Sequence, residues 1–182
     1  MELESVPPLI ARKILFGNPD RSVVRLSPDG KWLSWLAPLD GVMNIWVASR
    51  DHPETARPLT RDRERGIQAY FWTYTNHHLL YLQDNAGDEN WHIYRVGLEG
   101  GDPQDLTPMA GVCAQIFAIG HRFPREILVG LNDRNPELHD VWRVHLETGD
   151  RILIQENPGF LRFDFDEDGV PRFASRMMPE GS

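Results

Sequence analysis

The stretch Gly87–Val96, GDENWHIYRV, sets two acids, an amide and a histidine side by side. Adjacent carboxylates can hold a substrate amine or a cation, and a histidine beside them can move a proton. Asp88, Glu89 and Asn90 are therefore candidate substrate-gating residues. The same residue types also suit a tight turn before a half-buried strand, because Gly and Asp adopt turn conformations and Asn tolerates positive φ. On either reading these residues form a loop between two strands, with Trp91 and His92 opening the second strand. A binding role would place the Asp88–Glu89 pair on one rim of the molecule.

Other groupings could also do chemistry. Asp164–Gly169, DFDEDG, matches the opening of a calcium loop, with acids at alternate positions and Gly at the sixth. The twelfth position is Ser175, where such a loop needs a bidentate Glu. A hairpin turn explains the same residues, with Phe163 and Phe165 inward and the acids outward. The histidines, His52, His77, His78, His92, His121, His139 and His145, show no zinc-ligand spacing, and no Cys-x-x-Cys exists. No metal and no cofactor is expected. The single Cys113 sits in an apolar run and reads as a small buried thiol. There is no Gly-x-Ser-x-Gly elbow and no Gly-rich phosphate loop, so this stretch of sequence holds no visible catalytic machinery.

These residues need elements to position them. The 182 residues are 41% apolar, enough for a real core, and the net charge of -8 disfavours nucleic acid and acidic membranes as partners. No apolar run has the length of a signal peptide or a membrane span, so a cytoplasmic location is expected. Six Trp, eight Phe and four Tyr, with 15 Gly and 14 Pro, indicate many short strands and turns.

A repeat organises them. NIWVAS at Asn44, HIYRVGL at His92 and DVWRVHL at Asp140 start 48 residues apart and share a polar, aliphatic, aromatic order. Each is followed by a shorter strand-like segment: ARPLT ending at Thr60, PQDLT ending at Thr107, and RILI ending at Ile154. Upstream, SPDGKWLSWL from Ser27, TYTNHHLLYL from Thr73 and RFPREILVGL from Arg122 each read as a polar turn leading into an apolar strand. A fourth copy starts at Phe160 and runs for about two strands. Four antiparallel strands in about 48 residues is the size of a propeller blade. In the third strand Ile45, Ile93 and Val141 alternate with Trp46, Tyr94 and Trp142, so both faces are apolar, as stacked blades require.

The expected fold is all-β: a partial β-propeller of about three complete four-stranded antiparallel blades plus the first half of a fourth. The expected division is an N-terminal arm at 1–20, blades at 21–66, 67–111 and 112–159, and an incomplete blade at 160–182. A β-sandwich of irregular hairpins is the structural alternative. Closure as a four-bladed ring would recruit Pro8–Phe16 as a strand and still leave the last blade one strand short. An open arc leaves an apolar face and a sheet edge uncovered, which predicts marginal stability or self-association.

ARKILFGNPDR, RLSPDGKWLSWLAP, LLYLQDNAGDENWHIYRVGLEGGDPQDLTP and EILVGLNDRNPELHDVWRVHLETGD, in that order, resemble the N-terminal propeller of S9 (prolyl oligopeptidase family) serine peptidases of the dipeptidyl-aminopeptidase and acylaminoacyl-peptidase kind. The resemblance covers roughly residues 8 to 176. It implies a downstream α/β-hydrolase domain, absent here, that carries a Ser, Asp and His triad, and it makes this propeller a gate that admits short peptides. In dipeptidyl-peptidase relatives a glutamate pair holds the substrate amine. That pair sits on a longer helical insertion, so its role is not transferred to Asp88 and Glu89. The alternative is a stand-alone TolB-like module binding a protein or peptide.

Overall fold

The computed structural model describes residues 9–17 and 19–177. Its strands form three four-stranded antiparallel sheets and a hairpin. The first sheet has the order β1 (Ser22–Leu26), β2 (Trp32–Leu39), β3 (Val42–Ser49), β4 (Arg57–Pro58). The second runs β5 (Tyr70–Trp72), β6 (His78–Gln83), β7 (His92–Gly97), β8 (Gln104–Asp105), and the third β9 (Ala114–Ile119), β10 (Glu126–Asn135), β11 (Leu138–His145), β12 (Arg151–Gln155). β13 (Arg162–Phe165) and β14 (Pro171–Ser175) pair only with each other. In every sheet the spatial order is the sequence order. The chain is therefore a run of meandering blades, three complete and one half built, and the partial propeller is the observed fold.

Local chemistry explains the hairpins. β2 and β3 meet in the two-residue turn Asp40–Gly41, whose φ values of 52° and 89° are those of the mirror-image turn that matches strand twist. At the first-to-second strand turn of the first blade, Ser27 Oγ donates to Asp29 Oδ1 at 2.6 Å and Gly30 takes a φ of 70°. The second blade puts Asn76 at that place with φ 61°, and the half-blade puts Gly169 there at 71°. Neighbouring turns also touch: Asp29 N–H donates to Asn76 Oδ1 at 2.9 Å, joining the first two blades at one rim.

The core lies between blades. Ile45 and Val47 point from β3 toward the second blade, where they pack with Tyr70, Trp72, Leu79 and Val96. Leu80 and Ile93 leave the opposite face of the second blade and pack with Ile127, Val129, Leu131 and Val144 of the third. Ile45, Ile93 and Val141 are fully buried while Trp46, Tyr94 and Trp142 on the other face are half-buried, the alternation a stacked strand requires. Phe163 and Phe165 of the half-blade pack against Phe117 of β9, at ring distances of 6.5 and 5.8 Å, the Phe165 ring stacked and the Phe163 ring tilted.

The start of the chain takes no part in the blades. Arg12–Phe16 forms a short helix, α1, with Ile14 and Phe16 exposed, and it adds no strand to any sheet. The segment RKILF contains no Gly or Pro and is rich in residues with good helix propensity, which favours a local hydrogen-bonded turn where no sheet edge receives it. Pro8 and residues 178–182 lie outside the described residues. Cys113, expected to be buried, is half-buried. It follows a Gly-containing turn, where the chain has only begun to enter β9.

Candidate functional site

Asp88, Glu89 and Asn90 lie in the loop between β6 and β7, at the rim opposite the Ser27–Asp29 turn. The loop is built on a buried acid. Asp84, whose side chain is 1% exposed, follows β6; its Oδ2 accepts the Glu89 N–H at 3.3 Å and its Oδ1 lies 3.1 Å from Arg65 Nε. The latter contact is charge to charge, since the N–H does not point along the line to the oxygen. Arg65 comes from the connection between the first two blades. Its guanidinium covers Gly87, so closely that a Cβ there would meet Arg65 Nη1 at 2.6 Å. Gly87 has a φ of 89°, which selects glycine, while the flexible Arg65 tip could move aside for a Cβ.

Within the loop Asp88 binds its own neighbours. Its carboxylate accepts the Asn90 side-chain amide at 3.2 Å, the Asn90 N–H at 3.1 Å and the Asn85 N–H at 3.2 Å. The Asn90 amide first, against the opposing effect of burial and with the help of these N–H groups, holds Asp88 below the usual carboxylate range. Asp88 and Asn90 are thus brought together as a turn, not as an open pair. Positive φ falls on Ala86, Gly87 and Glu89, while Asn90, the residue expected to tolerate it, does not adopt it. Buttressing by Asp84 and Arg65 selects these positions in place of intrinsic preference. The Glu89 side chain is exposed and its carboxylate has no partner among the described residues, so it is the one carboxylate in the loop available to a cation.

The histidines serve the blades. His92 Nδ1 meets Asp105 Oδ2 at 2.6 Å, tying the start of β7 to β8. Burial lowers the pKa of His78 and of His139. His145 Nδ1 accepts the Glu147 and Thr148 N–H groups in the turn after β11. Among the described residues no three His, Cys, Asp or Glu side chains cluster as metal ligands. In the DFDEDG stretch, Asp166 accepts the Asp168 and Val170 N–H groups and Arg172 Nε, while Asp164 pairs with Arg162 and Asp168 with Arg122. These carboxylates are engaged as a hairpin turn would engage them.

Sequence reasoning missed the anchors at the head of each third strand. Asn44 Oδ1 accepts Thr60 Oγ1 at 2.9 Å and the Asp62 N–H at 2.7 Å; Thr60 and Thr107 in turn accept the N–H groups of Ile45 and Ile93 at 2.9 and 3.0 Å. In the third blade Asp140, 2% exposed, binds Arg134 through both carboxylate oxygens and accepts the Asn157 N–H at 2.7 Å. The signal was present, because Asn44, His92 and Asp140 fall at one position of the repeat, and so do Thr60 and Thr107 to within a residue.

No family model matches the chain. Among curated proteins it is 46% identical over 174 residues to dipeptidyl aminopeptidase BIII of Pseudoxanthomonas mexicana, covering 95% of this chain and 25% of that protein. It is 31% identical over 180 residues to dipeptidyl peptidase family member 6 of Caenorhabditis elegans, covering 95% of this chain and 24% of the relative. This chain is homologous to the N-terminal propeller part of S9-family peptidases. It spans about a quarter of the length of the curated relatives it matches. The β-propeller domain of the trilobed protease from Pyrococcus furiosus superposes with a TM-score of 0.53 at 15% identity, over 78% of this chain and 45% of that one, in agreement with the propeller fold. Among the described residues no helix is long and apolar enough to cross a membrane.

Proposed function

We propose that this chain is the propeller part of an S9-type serine peptidase: non-catalytic by itself, and a gate that admits short peptides to a downstream α/β-hydrolase domain. The observation that carries the reading is the 46% identity to a dipeptidyl aminopeptidase along 95% of the chain. The hydrolase would cleave the peptide bond through an acyl-enzyme, with the triad and oxyanion hole supplied outside this stretch. The gating residues proposed are Asp88, Glu89 and Asn90. Their geometry supports unequal roles, in which Asp88 and Asn90 shape the loop and Glu89 offers the free carboxylate.

The test is hydrolysis of chromogenic aminoacyl, acylaminoacyl and dipeptidyl substrates by this chain alone and by the same chain extended to the end of its reading frame, each also treated with a fluorophosphonate. The expected result is turnover and labelling in the extended form only. An extended form that neither labels nor hydrolyses overturns the peptidase reading. In an active extended enzyme, Glu89→Gln is expected to raise KM for substrates with a free amine while leaving N-acylated substrates unchanged.

A further inference from the structure

The interface between the first two blades differs from the next one in a way the repeat makes measurable. On the face that each blade turns to its predecessor, Tyr81 and Gln83 of β6 stand 48 residues before Val129 and Leu131 of β10. The strand registers agree, with Tyr81 opposite Tyr94 and Val129 opposite Trp142. Val129 and Leu131 are fully buried in the apolar core between the second and third blades. The corresponding interface of the second blade carries a phenol and an amide instead, and a crevice of about 640 Å3 opens there.

The crevice contains unmet hydrogen-bonding capacity. Tyr81 is 7% exposed, stacks on Tyr94 at 5.3 Å, and its hydroxyl has no partner among the described residues. Burial raises the phenol pKa, so the hydroxyl keeps its proton. Gln83 Oε1 is buried and unpartnered. A buried amide oxygen without a donor is destabilising unless something fills the position. The mouth adds separated charges. Arg61 stands on the first blade's side, and Glu99 and Asp102 stand on the turn between β7 and β8; none of the three has a partner among the described residues. The nearby Arg57 and Asp62 are already engaged, Arg57 with Leu98 O and Asp62 with the Gly66 N–H.

We propose that the crevice between the first and second blades is a binding site for a short zwitterionic peptide, its carboxylate on Arg61, its amine toward Glu99 and Asp102, and a main-chain N–H donated to the Gln83 amide, whose Oε1 rotates out of the wall to accept it. A volume of this size suits a ligand of two or three residues. Opposite charges on the two walls select a molecule that carries both, and the amide and phenol between them match a peptide unit, which donates and accepts. The site lies between blades and needs no catalytic domain, so it stands or falls independently of the peptidase reading.

Titration calorimetry of the 182-residue chain with glycylglycine tests it, with acetate and N-acetylglycinamide as probes that lack one or both charges. Saturable binding of glycylglycine is expected, weakened about tenfold or more by Gln83→Leu, which copies Leu131, and by Arg61→Ala, as for loss of one hydrogen-bonding or charged partner. The two comparison probes are expected to bind at least about tenfold more weakly. Circular dichroism establishes that the variants are folded; Arg61 is exposed, so its variant carries the test if Gln83→Leu disturbs the blade. Absence of saturable heat with the unaltered chain, equal affinity in the variants, or equal binding of acetate overturns the proposal.

Discussion

Ser34 Oγ lies 2.8 Å from Trp72 Nε1 and 2.9 Å from Tyr70 Oη, and Ser34 is fully buried. The hydroxyl accepts from the indole and donates to the phenol, whose own proton goes to Val23 O at 2.7 Å. One small side chain thus satisfies two aromatic groups and fastens the first blade to the first strand of the second. Ser34→Ala leaves the indole N–H unpaired in the core, and the expected loss is about 1–3 kcal/mol in urea unfolding. A change within a few tenths of a kcal/mol would show that the bond contributes nothing.

Gly130 is required by a ring. A Cβ at this position would overlap the Phe117 side chain, and Phe117 also stacks on Phe165 of the half-blade. Gly130→Ala should therefore lower stability by about 1–3 kcal/mol, as for overpacking elsewhere. It should also loosen β13–β14, seen as faster amide exchange at Phe163 and Phe165. Unchanged exchange there would separate the glycine from the half-blade.

The Arg65–Asp84 contact predicts a local effect. Asp84→Ala removes the acceptor of the Glu89 N–H and the charge that holds Arg65 over Gly87. Limited proteolysis within residues 85–90 is expected to speed up several-fold, while the blade itself, held by the β6–β7 ladder, stays folded. Cleavage at the unaltered rate would mean that the loop is held from elsewhere.

Much of the fold was legible because the repeat is written in polar-to-aromatic order at a fixed spacing, and blade stacking forces both faces of Ile45–Trp46 and its counterparts to be apolar. The loop was less legible. Asp88 and Asn90 were read as turn formers or ligands and lie in a turn, but Arg65, which covers that turn, stands some 20 residues earlier in sequence and is brought across only when two blades stack. The helix in RKILF was not legible for the opposite reason: five residues are too few to display a helical period, so only local propensity could have shown it.

Acid should act on the third blade through Asp140. The Arg134 hydrogen bonds lower its pKa first, with the Asn157 N–H assisting and burial opposing. A carboxylate whose folded pKa is depressed contributes stability above its unfolded value, near 4. That contribution is lost as pH falls below about 4 and through the lower folded value. Asp140→Asn should accordingly be less stable than the unaltered chain at neutral pH and approach it in acid, read from urea midpoints at several pH values. Parallel curves at all pH values would remove Asp140 from the acid response.

Val24, Leu161 and Phe173 are 63, 69 and 77% exposed. Such surfaces attract partners. Light scattering of the chain alone should show concentration-dependent association, and a monodisperse monomer with a cooperative melt would count against it.

Among the described residues every backbone ladder runs between strands that are neighbours in sequence, and Thr60 and Thr107 close the first two blades from within about 15 residues of the N–H they cap. Such short loops cost little closure entropy. The blades can therefore take shape one after another as the polypeptide leaves the ribosome, each offering a finished apolar wall on which its successor condenses.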